Sequence, residues 1–287
     1  MSAGEMDARD LRARSSRGGL RAGGLRAAVR DTAVLTGRNL VHMAREPLRL
    51  SDVTIQPVLF TLLFIYVLGA GIVLPGGAYT QYAIAGLLAM NLVTSAIGTA
   101  VGLSEDLGSG VIDRFRTLPM WKPAVLVGRS LTDLLTAALC GAIVVATGLV
   151  VGWRPHSDPG SVLAGFALFL LFSYALSWGC ACIGLFTGDA ESAQGLGLVI
   201  LFPLAIVSDA LVPTQRMPAV VRAIAQWNPV SAVTTASRKL LGNPDAAGAV
   251  HAWPLQHPVL AAIIWSLAML AVFAPLAAWL YRRQTSD

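Results

Sequence analysis

The chain has 287 residues, of which 55% are hydrophobic and 13% charged, and its mean hydropathy is +0.65; an ordinary soluble domain carries about twice that charged fraction. This balance excludes a fully water-solvated globule and makes lipid part of the solvent. The net charge of +5 and the pI near 9.5 do not point to nucleic acid, because the bases gather in an N-terminal tail and in loops flanking apolar runs, as an anionic membrane surface selects.

Residues 1–24 are rich in Arg, Gly, Ser and Ala and contain no apolar stretch of the length a signal peptide needs. They read as a disordered cytoplasmic tail, and residues 25–287 as one membrane domain. The Arg content also fits a transit peptide, which Glu5, Asp7 and Asp10 oppose. From Leu25 to Leu50, Val29, Val34, Leu40 and Val41 alternate with Arg30, Arg38, Arg45 and Arg49. The stretch is too polar to span and predicts an amphipathic helix lying in the interface plane, a plain solvated helix being the competing reading.

A hydrocarbon core of about 30 Å needs roughly 20 apolar residues per helix. Six runs meet or approach that length: 53–73, 82–103, 125–151, 162–187, 196–212 and 258–281. The fifth is the shortest, and Pro203 with Asp209 predicts a kink or break there. With the N-terminus inside, sixteen of the 21 Lys and Arg residues fall on the cytoplasmic side, while Arg154, Arg216, Arg222, Arg238 and Lys239 stay outside. Both termini are therefore expected in the cytoplasm. Trp153, Trp227, Trp253 and Trp279 lie near span ends or in the outer segment and read as headgroup anchors. Cys140, Cys180 and Cys182 fall in apolar segments and read as small core residues, not metal ligands.

Between the second and third runs the chain reads SEDLGSGVIDRFRTLPMWKP, from Ser104 to Pro123. Ser104 can cap a turn carrying Glu105 and Asp106, where acid meets the positive helix end. Val111, Ile112, Phe115 and Leu118 then recur at near-helical spacing beside Asp113, Arg114 and Arg116, and Pro119 stops the run. The element is either a tidy surface turn or a rigid lever that docks on a soluble partner. Next, Arg129 and Asp133 stand four apart and can neutralise each other on one helix face near the cytoplasmic mouth. Asp209 falls near the outer mouth and suits a local structural role or a part in an exit gate. From Pro213 to Asn228, Met217, Val220, Val221, Ile224 and Trp227 mark an amphipathic helix on the outer leaflet, broken by Asn228 and Pro229.

Two sets of these residues resemble the permease subunits of the type-2 ABC exporter family, especially its daunorubicin-resistance-like drug-efflux branch. One set runs from Glu105 through Ser109-Gly110 to Arg114, Leu118 and Pro119. The other comprises Ser208, Pro213, Met217-Pro218, Ile224, Asn228-Pro229 and Val230. The resemblance covers nearly all of residues 25–283. It implies an all-α integral membrane fold of six transmembrane helices, with an N-terminal interfacial helix, a cytoplasmic coupling helix and short outer helices before the last span. Glu105, Asp106, Asp113, Arg114, Arg116, Leu118 and Pro119 would then meet a separate ATP-binding subunit, and Arg129, Asp133, Asp209, Asn228 and Pro229 would be structural or gating. Asp209 departs from the small or apolar residue more usual there.

No G-x-x-x-x-G-K-[ST] loop, H-E-x-x-H or G-x-S-x-G occurs. The chain is therefore expected to bind no cofactor or metal and to draw its energy from ATP on a partner. Its further expected partners are an identical or second permease, the lipid bilayer, and an amphipathic drug, natural product or lipid moved out across a bacterial plasma membrane. An ion-coupled secondary transporter is the alternative; it requires ionisable groups at mid-bilayer, and the candidates here lie near the mouths. A non-transporting intramembrane enzyme or scaffold is opposed by the lack of paired catalytic residues at one depth.

Overall fold

The structure, a computed structural model, describes residues 24–45, 47–71, 79–108, 124–243 and 252–284. All described elements are helical. Helix α1 spans Gly24–Arg45. Helix α2, Pro47–Leu63, carries Pro57 inside and continues through a wide turn at Phe64–Leu68 into Gly69–Gly71. Helices α3, Tyr79–Gly108, α4, Ala124–Val150, and α5, Pro159–Thr187, are the long ones of the body. They are followed by α6, Ala190–Ile206, α7, Ala219–Trp227, α8, Pro229–Leu241, the short α9, Trp253–Gln256, and α10, Pro258–Gln284.

Five of these stretches are long and apolar enough to cross a bilayer: Leu50–Gly71, Tyr79–Gly108, Val127–Val150, Pro159–Thr187 and Pro258–Arg283. At a rise of about 1.5 Å per residue, the 17 residues of α6 reach roughly 26 Å, so it completes a sixth, marginal crossing. Helices α3 and α5 form the centre. In each, 61% of the apolar window is buried, against 17% in α10. The core between them is filled by Tyr82, Leu92, Phe169, Phe172 and, from α4, Val144. The outer helices turn large apolar side chains away from the body, including Leu59 and Tyr66 of α2, Val199 of α6, and Leu260 and Val272 of α10. Such a surface is stable in hydrocarbon and unstable in water.

Small residues set how closely the helices pack. A Cβ on Gly184 of α5 would overlap the carbonyl oxygen of Ala100 on α3, and one on Gly86 of α3 would overlap that of Ala210. Backbones therefore touch at both places, the arrangement that replaces hydrophobic driving force within lipid. The turn from α5 to α6 is short because Gly188 closes α5 in the left-handed region, at φ 75°, and Asp189 opens α6 by accepting from Ser192 N–H at 2.8 Å. Asp158 caps α5 in the same way, accepting from Ser161 Oγ at 2.8 Å and Ser161 N at 3.0 Å. The bonds from Ser161 and from Ser192 hold the two carboxyls below their usual range.

Four expectations change. Ser104 caps no new turn: α3 runs on through Glu105 and Asp106 to Gly108, so the two acids sit at its C-terminal end, and the Ser104 hydroxyl donates to the Val101 carbonyl at 2.7 Å. The fifth helix runs over 190–206 in place of 196–212: its start is drawn back to the Asp189 cap, and it stops at Ile206 just beyond Pro203, leaving Asp209 in irregular backbone. Trp153 is not a headgroup anchor. It is 1% exposed and packed on Gly148, with its backbone N–H donating to the Gly148 carbonyl at 2.8 Å, whereas Trp227, Trp253 and Trp279 are exposed. Arg238 is not an outer-loop base but a fully buried residue of α8, a helix packed against α3, α5 and α10. The three cysteines are buried and free, as expected of core residues.

Candidate functional site

Two polar clusters stand at opposite ends of α3. Asp106 and Tyr82 are 24 positions apart in that helix, about 36 Å at the α-helical rise.

At the far end of α3, Arg129 of α4 is the hub. Its Nη1 lies 3.5 Å from Asp106 Oδ2 and its Nε 3.5 Å from Asp133 Oδ1, while its Nη2 donates to the Gly98 carbonyl at 3.2 Å. Gly102 makes room for this: a Cβ there would overlap the guanidinium. Arg38 of α1 approaches the same Asp106 at 3.9 Å. Helix α1 is held nearby by Leu35, against Gly128, and by Thr36, whose hydroxyl donates to the Gly128 carbonyl at 3.2 Å. One cluster thus joins α1, the end of α3 and the start of α4. Such partly exposed pairs are individually weak, about 0–1 kcal/mol each, but a shared hub makes their geometries interdependent.

The expected contacts divide accordingly. Glu105 and Asp106 close α3 beside this cluster, and the Arg129 and Asp133 pair forms as the spacing predicts. Asp113, Arg114, Arg116, Leu118 and Pro119 lie outside the described residues. Asp106 as a third member and Arg38 as a fourth were not read from the sequence, because both contacts join separate helices.

The cluster at the other end of α3 is buried. Arg238 has 0% side-chain exposure, and its Nη1 lies 2.7 Å from Asp209 Oδ2. Its Nη2 donates to the Asp209 and Ala210 carbonyls at 2.7 and 2.9 Å, and its Nε to the Tyr82 carbonyl at 3.2 Å. The guanidinium carbon stands 3.5 Å over the Tyr82 ring, a desolvated cation on a π face. Asp209 is equally well supplied. Its Oδ1 accepts from Thr214 N–H at 3.1 Å, its Oδ2 accepts from Thr235 Oγ1 at 3.2 Å, and its own N–H donates to Ser231 Oγ at 2.8 Å. The Tyr82 hydroxyl is 2.9 Å from the Asp209 carbonyl. A buried ion pair is tolerable only when its remaining donors and acceptors are filled this way. Here it ties α3, the 207–213 segment and α8 together.

Asn228 extends the same construction. Its Oδ1 caps α8 by accepting from Val230 N–H at 2.8 Å, and its Nδ2 lies 2.6 Å from both the Leu204 and Val207 carbonyls at the frayed end of α6. Pro229 occupies the first turn of α8, where its missing N–H leaves no bond unmade. Asn228→Ala removes the cap and both bridges and is expected to cost about 1–2 kcal/mol, read as a lower unfolding temperature in detergent. An unchanged temperature would show that these bonds do not hold α6 to α8. Arg238, Tyr82, Ser231 and Thr235 were missed in the sequence. The signal was Asp209 itself: a carboxylate beside an apolar run requires a cation, and one stood 29 residues ahead.

The model of the family described as ABC-2 type transporter matches residues 30–241. The chain is 31% identical over 259 residues to the daunorubicin resistance ABC transporter permease protein DrrB1 of Streptomyces coeruleorubidus, covering 90% of this chain and 88% of that one. It is 23% identical, over 90% of each chain, to the probable doxorubicin resistance ABC transporter permease protein DrrC of Mycobacterium tuberculosis. It is 24% identical, over 76% of each, to the putative transport permease ycf38 of Porphyra purpurea. With an all-helical membrane body and a family match that runs from α1 to the end of α8, the chain belongs to the ABC-2 type transporter family, in its daunorubicin-resistance-like branch.

Proposed function

We propose that the chain is the permease subunit of an exporter worked by ATP hydrolysed on a separate subunit, with the segment from Glu105 to Pro119 as its dock. The observation that carries this reading is the hub at Arg129. It links the end of α3, the start of α4 and helix α1, so a push on the connection between α3 and α4 reaches three helices at once. Helix α3 runs from there to the buried pair of Arg238 with Asp209, giving a stiff member from one end of the body to the other. Asp113, Arg114 and Arg116 offer the charges a soluble partner would meet.

The excess of Lys and Arg before α2, between α3 and α4 and after α10 supports cytoplasmic termini in a bacterial plasma membrane. Two permease bodies, identical or paired with a second permease, would enclose the route. The drug-resistance names of two relatives support an amphipathic small molecule as cargo. A lipid is chemically adjacent.

In vesicles carrying this chain with its cognate ATPase subunit, ATP is expected to drive accumulation of an amphipathic dye, and vesicles with either subunit alone are expected to stay at background. Equal transport without the ATPase would remove the reading. Transport abolished by collapsing the proton gradient at constant ATP would favour ion coupling instead.

A further inference from the structure

The two faces of α1 do opposite jobs. Leu35 and Thr36 are buried against Gly128 of α4, so the side expected to rest on acyl chains is spent on the body. The opposite side carries Arg30, Val34, Arg38, Val41 and Arg45, all exposed. Their steps of four, four, three and four positions keep them within a sector of about 80° at 3.6 residues per turn. Val34 and Val41 are 62% and 51% exposed, and the Arg38 side chain is 44% exposed. The outward face is therefore a single stripe in which bases alternate with apolar side chains.

Three contacts fix its depth. Thr36 meets Gly128 beside Val127, where the α4 crossing starts. Arg38 reaches Asp106 next to the end of α3 at Gly108, and Arg45 precedes Leu50, the start of the α2 crossing, by less than two turns. Residues 36–45 thus lie level with the ends of three crossings, at headgroup depth. Leu50, Ile55 and Leu59 of α2, all exposed, carry the apolar surface on into the hydrocarbon. A guanidinium matches phosphate oxygens with its planar fork, and its stem tolerates an apolar surround while the head stays in the polar layer. Anionic lipid offers both halves of that match at this depth, phosphate above and glycerol and upper acyl chain below.

We propose that the outward stripe of α1 binds anionic phospholipid headgroups, with Arg30, Arg38 and Arg45 on the phosphates and Val34 and Val41 against the glycerol and upper acyl region between them. Through Arg38, which also reaches Asp106, the bound lipid adjoins the Arg129 hub. Lipid binding here and ATP-driven export stand or fall separately.

The test places the full chain in nanodiscs of phosphatidylcholine with phosphatidylglycerol and adds a trace of either lipid carrying a spin label. Electron paramagnetic resonance then reads the fraction of each label held against the protein. Phosphatidylglycerol is expected to be preferred about threefold, and the preference to weaken as salt is raised. Arg30→Gln, Arg38→Gln and Arg45→Gln combined are expected to lower the preference about twofold or more, and the three Arg→Lys changes combined to keep it. Should the Gln triple fail to fold, Arg30→Gln with Arg45→Gln decides, since neither residue belongs to the Arg129 hub. An unchanged preference in the Gln variants overturns the proposal and leaves the stripe to a protein partner or the selectivity to other bases of the chain. A Lys triple as weak as the Gln triple overturns it as well, because charge is then not what selects the lipid. Loss of the preference on adding inorganic phosphate at constant ionic strength would assign the stripe to a free anion and equally overturn it.

Discussion

Asp209→Ala is expected to destabilise the folded chain by about 3–5 kcal/mol, because it leaves the Arg238 guanidinium buried without its counter-charge. Arg238→Met is expected to do comparable damage from the other side, stranding a carboxylate that is 5% exposed. Removing both charges together, as Asp209→Asn with Arg238→Met, is expected to recover a large part of the loss, since well-packed neutral groups need no counter-ion. Unfolding followed by intrinsic tryptophan fluorescence in detergent measures all three, and the cycle isolates the coupling. Single variants as stable as the parent, or a double variant equal to the sum of the singles, would mean that the pair is spatially close but energetically idle.

The second large effect is steric. Gly86→Ala places a methyl group into the Ala210 carbonyl, which is itself an acceptor for Arg238, and Gly184→Ala places one into the Ala100 carbonyl. Neither obstacle is the far end of a flexible side chain, so a helix or a loop has to move. A loss of about 1–3 kcal/mol is expected for each. Gly195→Ala on α6 is the matching control, because nothing lies within 4 Å of its added Cβ. There, improved helix propensity is expected to stabilise by up to about 1 kcal/mol. If all three variants unfold together with the parent, the close crossings of α3 with α5 and with the 207–213 segment do not limit stability.

The long helices were legible because hydrocarbon demands a minimum apolar length, and α2 to α5 and α10 meet it with few charges. What escaped follows from the same criterion. Helix α8 is 13 residues of mostly Ser, Thr, Ala and Val with Arg238 and Lys239 in its last turn, too short and too polar to register as membrane-embedded. Its burial is decided by Asp209 and Tyr82, which are remote in sequence. Trp153 sits one turn beyond a span end, where position alone suggests a headgroup anchor; only the adjacent Gly148 shows that the ring folds back inside. At the site, the Arg129 and Asp133 pair was visible as a helical spacing, but its extension to Asp106 and Arg38 needed three helices placed in space.

The order of the buried cluster along the chain bears on how the protein is made. Tyr82, then Asp209 and Thr214, emerge from the ribosome before Ser231, Thr235 and Arg238. The receptor for the guanidinium is therefore synthesised ahead of the guanidinium itself. A segment as polar as α8 enters lipid unfavourably by itself, so it docks onto helices already inserted, and the last crossing, α10, then closes over it.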